Sequence, residues 1–253
     1  MTAIIDISAP INFAAFAADG GIAVIAKCTE GMTIATPSFA SSKAAAISAG
    51  LVVGSYHFLH AGNADKQAAW YLKNLNPAQG ERVVCDAEVY LSSSPSLTDI
   101  KLFVQTILAA RPDLHITIYG GLSYLQNTVG VAADPYLSQM TDLWIAEWTN
   151  SSVPKLPGTW ATWALWQYTG TQRGFGGSVD LDRFNGSDDA LRAWIGPAGG
   201  AAPVVNLSSV AGLQRAFNGL GYPVTVDGNY GQQTGAALSK ATDNGANLLA
   251  NAP

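Results

Sequence analysis

The segment Cys85-Asp86-Ala87-Glu88 sets two carboxylates two residues apart. On a strand, residues i and i+2 point to the same face, with Cα atoms about 6.8 Å apart. Read as the C-terminal end of a strand, where α/β barrels hold their active sites, the pair faces the mouth of a barrel. Two acids turned inward would be a costly way to fill a core. They are therefore either surface acids at a strand end or groups that do chemistry. Asp6 follows the apolar Ile4-Ile5, and Asp180 lies within Val179-Asp180-Leu181-Asp182. In a closed barrel the first and last strands are neighbours, so both of these acids would face the same mouth. Four carboxylates in one pocket cannot all ionise cheaply. Repulsion should raise at least one pKa and keep that group protonated near neutral pH, as a general acid for glycosidic cleavage requires.

The elements that must position these acids are short apolar runs alternating with Ala-rich segments of helical period. Strands are expected at 4–7, 22–27, 51–58, 82–88, 115–119, 143–148, 162–168 and 178–181. Helices are expected at 38–49, 65–75 and 97–110. Eight strands with few late helices imply an α/β fold, an irregular flattened TIM-like β/α barrel, followed by a small all-α domain. The barrel is assigned to residues 1–195. A Gly/Ala/Pro linker follows at 196–204, and a small helical domain at 205–253. Composition fits: of 253 residues, 48% are hydrophobic and only 12% charged, which excludes a disordered chain. The net charge of −5 argues against nucleic acid as a partner. No apolar run is long enough to insert in a membrane. No His/Cys cluster has metal-ligand spacing, so neither metal nor other cofactor is expected.

The motifs Asp6-Ile7-Ser8, Lys27-Cys28-Thr29-Glu30-Gly31, Gly54-Ser55-Tyr56-His57-Phe58, Asp86-Ala87-Glu88, Leu143-Trp144-Ile145-Ala146, Trp166-Gln167-Tyr168 and Val179-Asp180-Leu181 occur in that order. In this they resemble glycoside hydrolase family 25, the Chalaropsis-type lysozymes, over about residues 3–190. The resemblance implies a monomeric hydrolase that cleaves the β-1,4 bond between N-acetylmuramic acid and N-acetylglucosamine in peptidoglycan. It also implies catalytic roles for Glu88, as general acid, and for Asp86, Asp6 and Asp180. Asp182 stands where the family commonly has Asn, adding an acid near the site. The stretch from Val210 to Thr234, with Leu220-Gly221-Tyr222 and Asp227-Gly228-Asn229-Tyr230-Gly231, resembles a small peptidoglycan-binding domain.

Substrate contacts are expected from Tyr56, Tyr119, Trp144, Gln167 and Tyr168, and from Lys27, which with Glu30 closes the second strand and reads either as an ion pair holding the acids or as a solvated loop charge. The aromatics among them also read as barrel packing. His57 reads as a structural histidine. Strand parity turns Cys28 and Cys85 outward, as two buried free thiols. Met1-Thr2-Ala3 leads straight into the first strand without the segments of a secretory leader. That predicts synthesis in a host cytoplasm and action on the wall after release, as for a phage or prophage endolysin. Two other readings remain: a catalytically silent wall-binding protein, and a barrel glycosidase acting on chitin-like polymers.

Overall fold

Each apolar run pairs with its neighbours edge to edge in the computed structural model, which describes residues 4–196, 210–219 and 222–250. The strands are β1 Ile4–Ile7, β2 Ala23–Glu30, β3 Ile34–Ala35, β4 Val52–Phe58, β5 Arg82–Asp86, β6 His115–Gly121, β7 Asp142–Ala146, β8 Leu165–Gly174 and β9 Gly177–Phe184. The helices are α1 Phe13–Ala18, α2 Phe39–Ser48, α3 Ala64–Leu75, α4 Leu97–Ala110, α5 Tyr136–Met140, α6 Asp188–Ile195, α7 Val210–Gly219 and α8 Gln232–Ala250. The sheet order is β1-β9-β8-β7-β6-β5-β4-β2-β3, and β1 also pairs with β2. Eight strands thus close into a barrel, and the two-residue β3 hangs from β2 as a short hairpin.

The barrel is parallel from β1 through β8, but β9 runs antiparallel to both β8 and β1. A tight turn through Phe175 and Gly176, both at positive φ, replaces the last crossover helix. This hairpin is the main departure from eight repeated βα units. It also lengthens the last two strands beyond the expected 162–168 and 178–181. The expected fourth strand, by contrast, ends at Asp86 rather than Glu88.

Side chains alternate between two sets along each strand. Ile4, Ile25, Val84, Trp144 and Leu165 fill the barrel interior. Ile5, Val24, Val83, Cys85 and Ile118 point outward beneath the helices. Both cysteines are buried there as free thiols. The helix α4 begins with a reciprocal cap, in which Ser96 Oγ accepts from the Asp99 N–H (3.2 Å) and Asp99 accepts from the Ser96 N–H (2.8 Å). Asp99 also accepts from the Gly62 N–H (3.0 Å), tying α4 to the loop that opens α3.

The base of the barrel is closed by α6, whose Leu191 and Ile195 join the interior set. Buried Arg82 locks it in place. Its guanidinium donates to Asp142 (2.6 Å), Thr117 Oγ1 (3.0 Å) and the Trp194 carbonyl (2.7 Å), and stacks on the Trp194 ring at 3.9 Å.

The expected linker, 196–204, lies outside the described residues except for Gly196. Beyond it, α7 and α8 enclose Phe217, Val224 and Ala237. Buried Gln214 organises the loop between them. It accepts from the Asp227 and Gly228 N–H groups (3.1 and 3.0 Å) and donates to Asp227 Oδ1 (2.7 Å), Thr234 Oγ1 (3.0 Å) and the Asn229 carbonyl (2.9 Å).

Candidate active site

The antiparallel course of β9 decides where its acids go. Because β9 starts at the mouth and runs down, Asp180 lies directly across from Asp6, and Asp182 lies across from Ile4, one layer deeper. Cross-strand partners have Cβ atoms about 4.5–5.5 Å apart, so Asp6 and Asp180 are immediate neighbours. On the far wall Asp86 ends β5 between Phe58 of β4 and Tyr119 of β6. The ladder continues past it, with the Ala87 N–H donating to the Tyr119 carbonyl (2.9 Å). That keeps Glu88 on the face of Asp86, although it lies beyond the strand proper.

Asp6, Asp86, Glu88 and Asp180 all line one cavity of about 210 Å³ at the barrel mouth. Tyr56, Tyr119, Trp144 and Lys27 line it as well, which places four of the expected substrate contacts. Gln167 reaches the cluster by hydrogen bonds: its amide N–H donates to Asp6 (2.9 Å), and its carbonyl accepts from the Tyr119 hydroxyl (3.0 Å). Tyr168 does not join them. It lies on the outer face of β8 with Trp166, and Arg183 stacks over its ring at 4.4 Å. Alternation is the cause, because its neighbour Gln167 points inward; a bulge also starts here. Gln167 pairs with Asp182 and Thr169 with Leu181, leaving Tyr168 as the extra residue.

A second bulge shapes β2, where Lys27 pairs with Tyr56, Thr29 pairs with His57 and Cys28 is extra. Simple alternation would put Lys27 and Glu30 on opposite faces. The bulge brings them together as an ion pair at the pocket edge. His60 donates a further hydrogen bond to Glu30 (3.2 Å) and stacks on Tyr90. His57 is sealed between Thr29 (2.7 Å) and Gln67 (3.3 Å), and burial lowers its pKa to about 4, so it stays neutral.

Burial dominates the electrostatics of the acids. Desolvation, then the Asp180 charge, raises Asp6 to about 7, against the opposing pull of its bond from Gln167. Desolvation pushes Asp86 well above the usual carboxylate range, and the nearby charge of Glu88 adds to this. Glu88 is also raised, first by desolvation, but its hydrogen bond with Asp86 pulls it back down. Both groups are thus held above the ordinary carboxylate range, and the pair shares a proton more readily than two free carboxyls would. Lys27, the cation of the pocket lining, holds both groups lower than they would otherwise be.

Sequence reasoning left Phe58 and Ser8 out of the pocket, yet both line it. Each is two residues along from an inward residue, Tyr56 and Asp6, so strand parity was the signal that could have found them. Trp148 is 68% exposed at the end of β7, and its indole N–H approaches the Gln167 carbonyl at 3.4 Å. Its ring lies where a Cβ on Gly170 would sit, so it needs that glycine on the neighbouring strand. No local pattern announces that contact. A larger groove, lined by residues of α4 and of the 223–227 segment, has Asp227 as its one carboxylate and is poorly suited to acid chemistry.

A family model for glycosyl hydrolases family 25 matches residues 5–176. Lysozyme M1 of Streptomyces globisporus is 27% identical over 198 residues, covering 72% of this chain and 66% of that protein. The autolytic lysozyme of Clostridium acetobutylicum is 27% identical over 180 residues, 69% of this chain and 52% of its own length. The chain thus spans about half to two thirds of the curated relatives it matches. Among solved structures, the bacterial lysozyme from Streptomyces coelicolor superposes with a TM-score of 0.63 at 29% identity, over 75% of this chain and 94% of that one. A family GH25 lysozyme from Aspergillus fumigatus gives 0.63 at 28% identity, over 76% and 98%. The family-model match stops at 176. Asp180 and Asp182 lie beyond it, and their place rests on the register of β9.

Proposed function

Because the chain belongs to glycosyl hydrolases family 25, we propose that it is an N-acetylmuramidase, hydrolysing the β-1,4 bond between N-acetylmuramic acid and N-acetylglucosamine in peptidoglycan. The observation that carries this reading is the convergence of Asp6, Asp86, Glu88 and Asp180 on one polar cavity. Such a pocket supplies a protonated carboxylic acid beside a carboxylate, the pair that glycoside hydrolysis uses. Glu88 is the outer member and faces the opening, so it is the group that meets the glycosidic oxygen. The proton that the Asp86–Glu88 pair shares passes to Glu88 as the bond breaks. This single transfer leaves Glu88 able to protonate the leaving sugar. It also leaves Asp86 anionic, where positive charge develops at the anomeric carbon. There Asp86 stabilises that charge, directly or by orienting the substrate's own N-acetyl group as internal nucleophile. Asp6 and Asp180 hold water or sugar hydroxyls and keep the proton in the cluster. Tyr119 and Gln167 fix Asp6 in place, and Tyr56 and Trp144 give the sugars apolar walls.

The test is mass spectrometry of digested peptidoglycan. New reducing ends should be N-acetylmuramic acid. Reducing N-acetylglucosamine, or turnover of chitin oligomers alone, would refute the reading.

We assign the segment after the barrel to wall binding, and the whole chain to bacteriolysis as a phage or prophage endolysin. The support is the order of the parts: an acid-lined barrel, then a Gly/Ala/Pro stretch, then a small helical unit whose sequence resembles a peptidoglycan-binding domain. Sedimentation with purified cell walls, comparing the full chain with residues 1–195, tests the first assignment. Co-expression with and without a membrane pore-former tests the second, since an endolysin lyses the culture only with the pore.

A further inference from the structure

Beneath the pocket lies a fifth carboxyl group that the proposed reaction does not use. Asp182 is 1% exposed and points into the barrel interior. Its Oδ1 accepts from the Trp144 indole N–H at 2.7 Å, a group that can only donate. Its Oδ2 is buried and receives no donor, and the polar group it meets is the carboxyl of Asp6. Asp6 is fixed as an acceptor too. The carbonyl of Gln167 is taken by the Tyr119 hydroxyl, which turns the Gln167 amide N–H toward Asp6. Two acceptors buried face to face need a proton between them. Trp144 bars that proton from Oδ1, and Asp6, which accepts from Gln167 and opens on the pocket, is the partner better able to carry the charge. The proton therefore belongs on Asp182 Oδ2.

We propose that Asp182 is a positioning residue: as a neutral carboxylic acid it donates from Oδ2 to Asp6 and holds that side chain in place at the pocket floor. This rests on the muramidase reading only for its kinetic readout. The groups that face Asp182 are Asp6 of β1, Asp180 of β9, Trp144 of β7, Gln167 of β8 and Tyr119 of β6. All are acidic or neutral, and Lys27 stands across the mouth on β2. Loss of the Asp182 proton would thus put a second buried anion against Asp6 with no cation to meet it. The geometry of Asp6 should then fail, setting an alkaline limit on activity.

The experiment compares Asp182→Asn and Asp182→Leu with wild type on soluble glycan fragments, from pH 4 to 9. Asn keeps both contacts, because its Oδ1 accepts from Trp144 and its Nδ2 donates to Asp6, and it cannot titrate. It should keep kcat within about threefold at the optimum and move the alkaline limb upward by about one pH unit. Leu keeps the bulk but neither contact, and should lose about 10²-fold in kcat, the scale of a misplaced catalytic group. An Asn variant whose alkaline limb coincides with wild type overturns the proposal, as does one that loses as much as Leu.

A second readout does not depend on turnover. An acid that holds its proton more tightly folded than unfolded makes the protein less stable as pH rises above about 4. Asp182→Asn should therefore flatten the fall of Tm with pH, and superimposable curves would count against the proposal. If wild type fails to cleave peptidoglycan, the muramidase reading falls while the Tm comparison still decides the role of Asp182.

Discussion

The two ends of this barrel bury charge in opposite ways. At the base, Arg82 has a partner for each of its contacts: Asp142, Thr117, the Trp194 carbonyl and the face of the Trp194 ring. At the mouth, Asp86 Oδ1 and Asp182 Oδ2 are buried without a donor. A saturated buried charge stabilises one arrangement of the chain. An unsaturated one is destabilising and persists where the group has work to do. The same strand, β5, carries both, beginning at Arg82 and ending at Asp86. The contrast assigns structure to one end of the barrel and reactivity to the other.

The largest effect should come at the mouth. Glu88→Gln removes the acid while keeping shape, and kcat should fall by at least about 10²–10⁴-fold with the fold intact. Asp86→Asn should be nearly as damaging, and Asp180→Asn less so. If Asp86→Asn stays close to wild type while Asp180→Asn is dead, the charge-stabilising role moves to Asp180. Activity should also form a bell with a mildly acidic to neutral optimum. A rate rising steadily through pH 9 would contradict a carboxylic acid catalyst.

At the base the effect should fall on stability alone. Arg82→Met takes the guanidinium away from Asp142 and frees the end of α6. Breaking a fully buried pair costs about 3–5 kcal/mol. Asp142 keeps about a third of its side chain in water, with 32% exposed, so roughly 2–3 kcal/mol is expected here. Denaturant unfolding should show that loss, while kcat per folded molecule stays unchanged. A kinetic defect as large as the stability defect would erase the division between the two ends.

The cost of the mouth should appear in the pH dependence of stability. Asp6 titrates near 7 when folded, against an ordinary value of 3.8. The folded chain therefore holds this proton more tightly, and stability declines as pH rises between those values. Asp6→Asn abolishes that decline. Its Tm should gain on wild type from pH 4 to 7 and hold a constant lead of a few degrees above that. Calorimetry across the range checks this, and a pH-independent difference would mean that Asp6 is not held above its ordinary value.

How much of this was legible in the chain follows from strand geometry. Alternation put Asp86 inward and Cys85 outward, and barrel closure put Asp6 beside Asp180; both inferences use only the period of two and a single ring. The direction of β9 was legible but not drawn out: the gap between the expected strands 162–168 and 178–181 is shorter than the roughly dozen residues a parallel crossover needs, which leaves a hairpin. The bulges at Cys28 and Tyr168 were not legible. Cys28 and Tyr168 each add one residue without any glycine or proline to mark it, and the parity of everything beyond shifts. The donor-free oxygens of Asp86 and Asp182 belong to packing between strands distant in sequence, which no local pattern encodes.

Tyr168 gives the smallest predicted effect and the sharpest test of that last lesson. Counted from Trp166 it keeps the outer face, and its neighbours there are the rings and guanidinium of Trp166 and Arg183 rather than any acid. Tyr119, at a comparable height on β6, donates to Gln167 and so touches the chain of contacts that ends at Asp6. Tyr119→Phe removes one buried hydrogen bond and leaves the Gln167 carbonyl with the longer contact from Trp148 (3.4 Å). Roughly 1 kcal/mol, or about fivefold in kcat, is expected. Tyr168→Phe keeps the ring packed with Trp166 and Arg183 on the outer face, and kcat and KM should stay within experimental error of wild type. Steady-state kinetics on the same soluble glycan measures both. Equal losses in the two variants would mean that the β8 bulge turns Tyr168 toward the substrate, and that the inner and outer faces of this barrel are not separated where β8 and β9 meet.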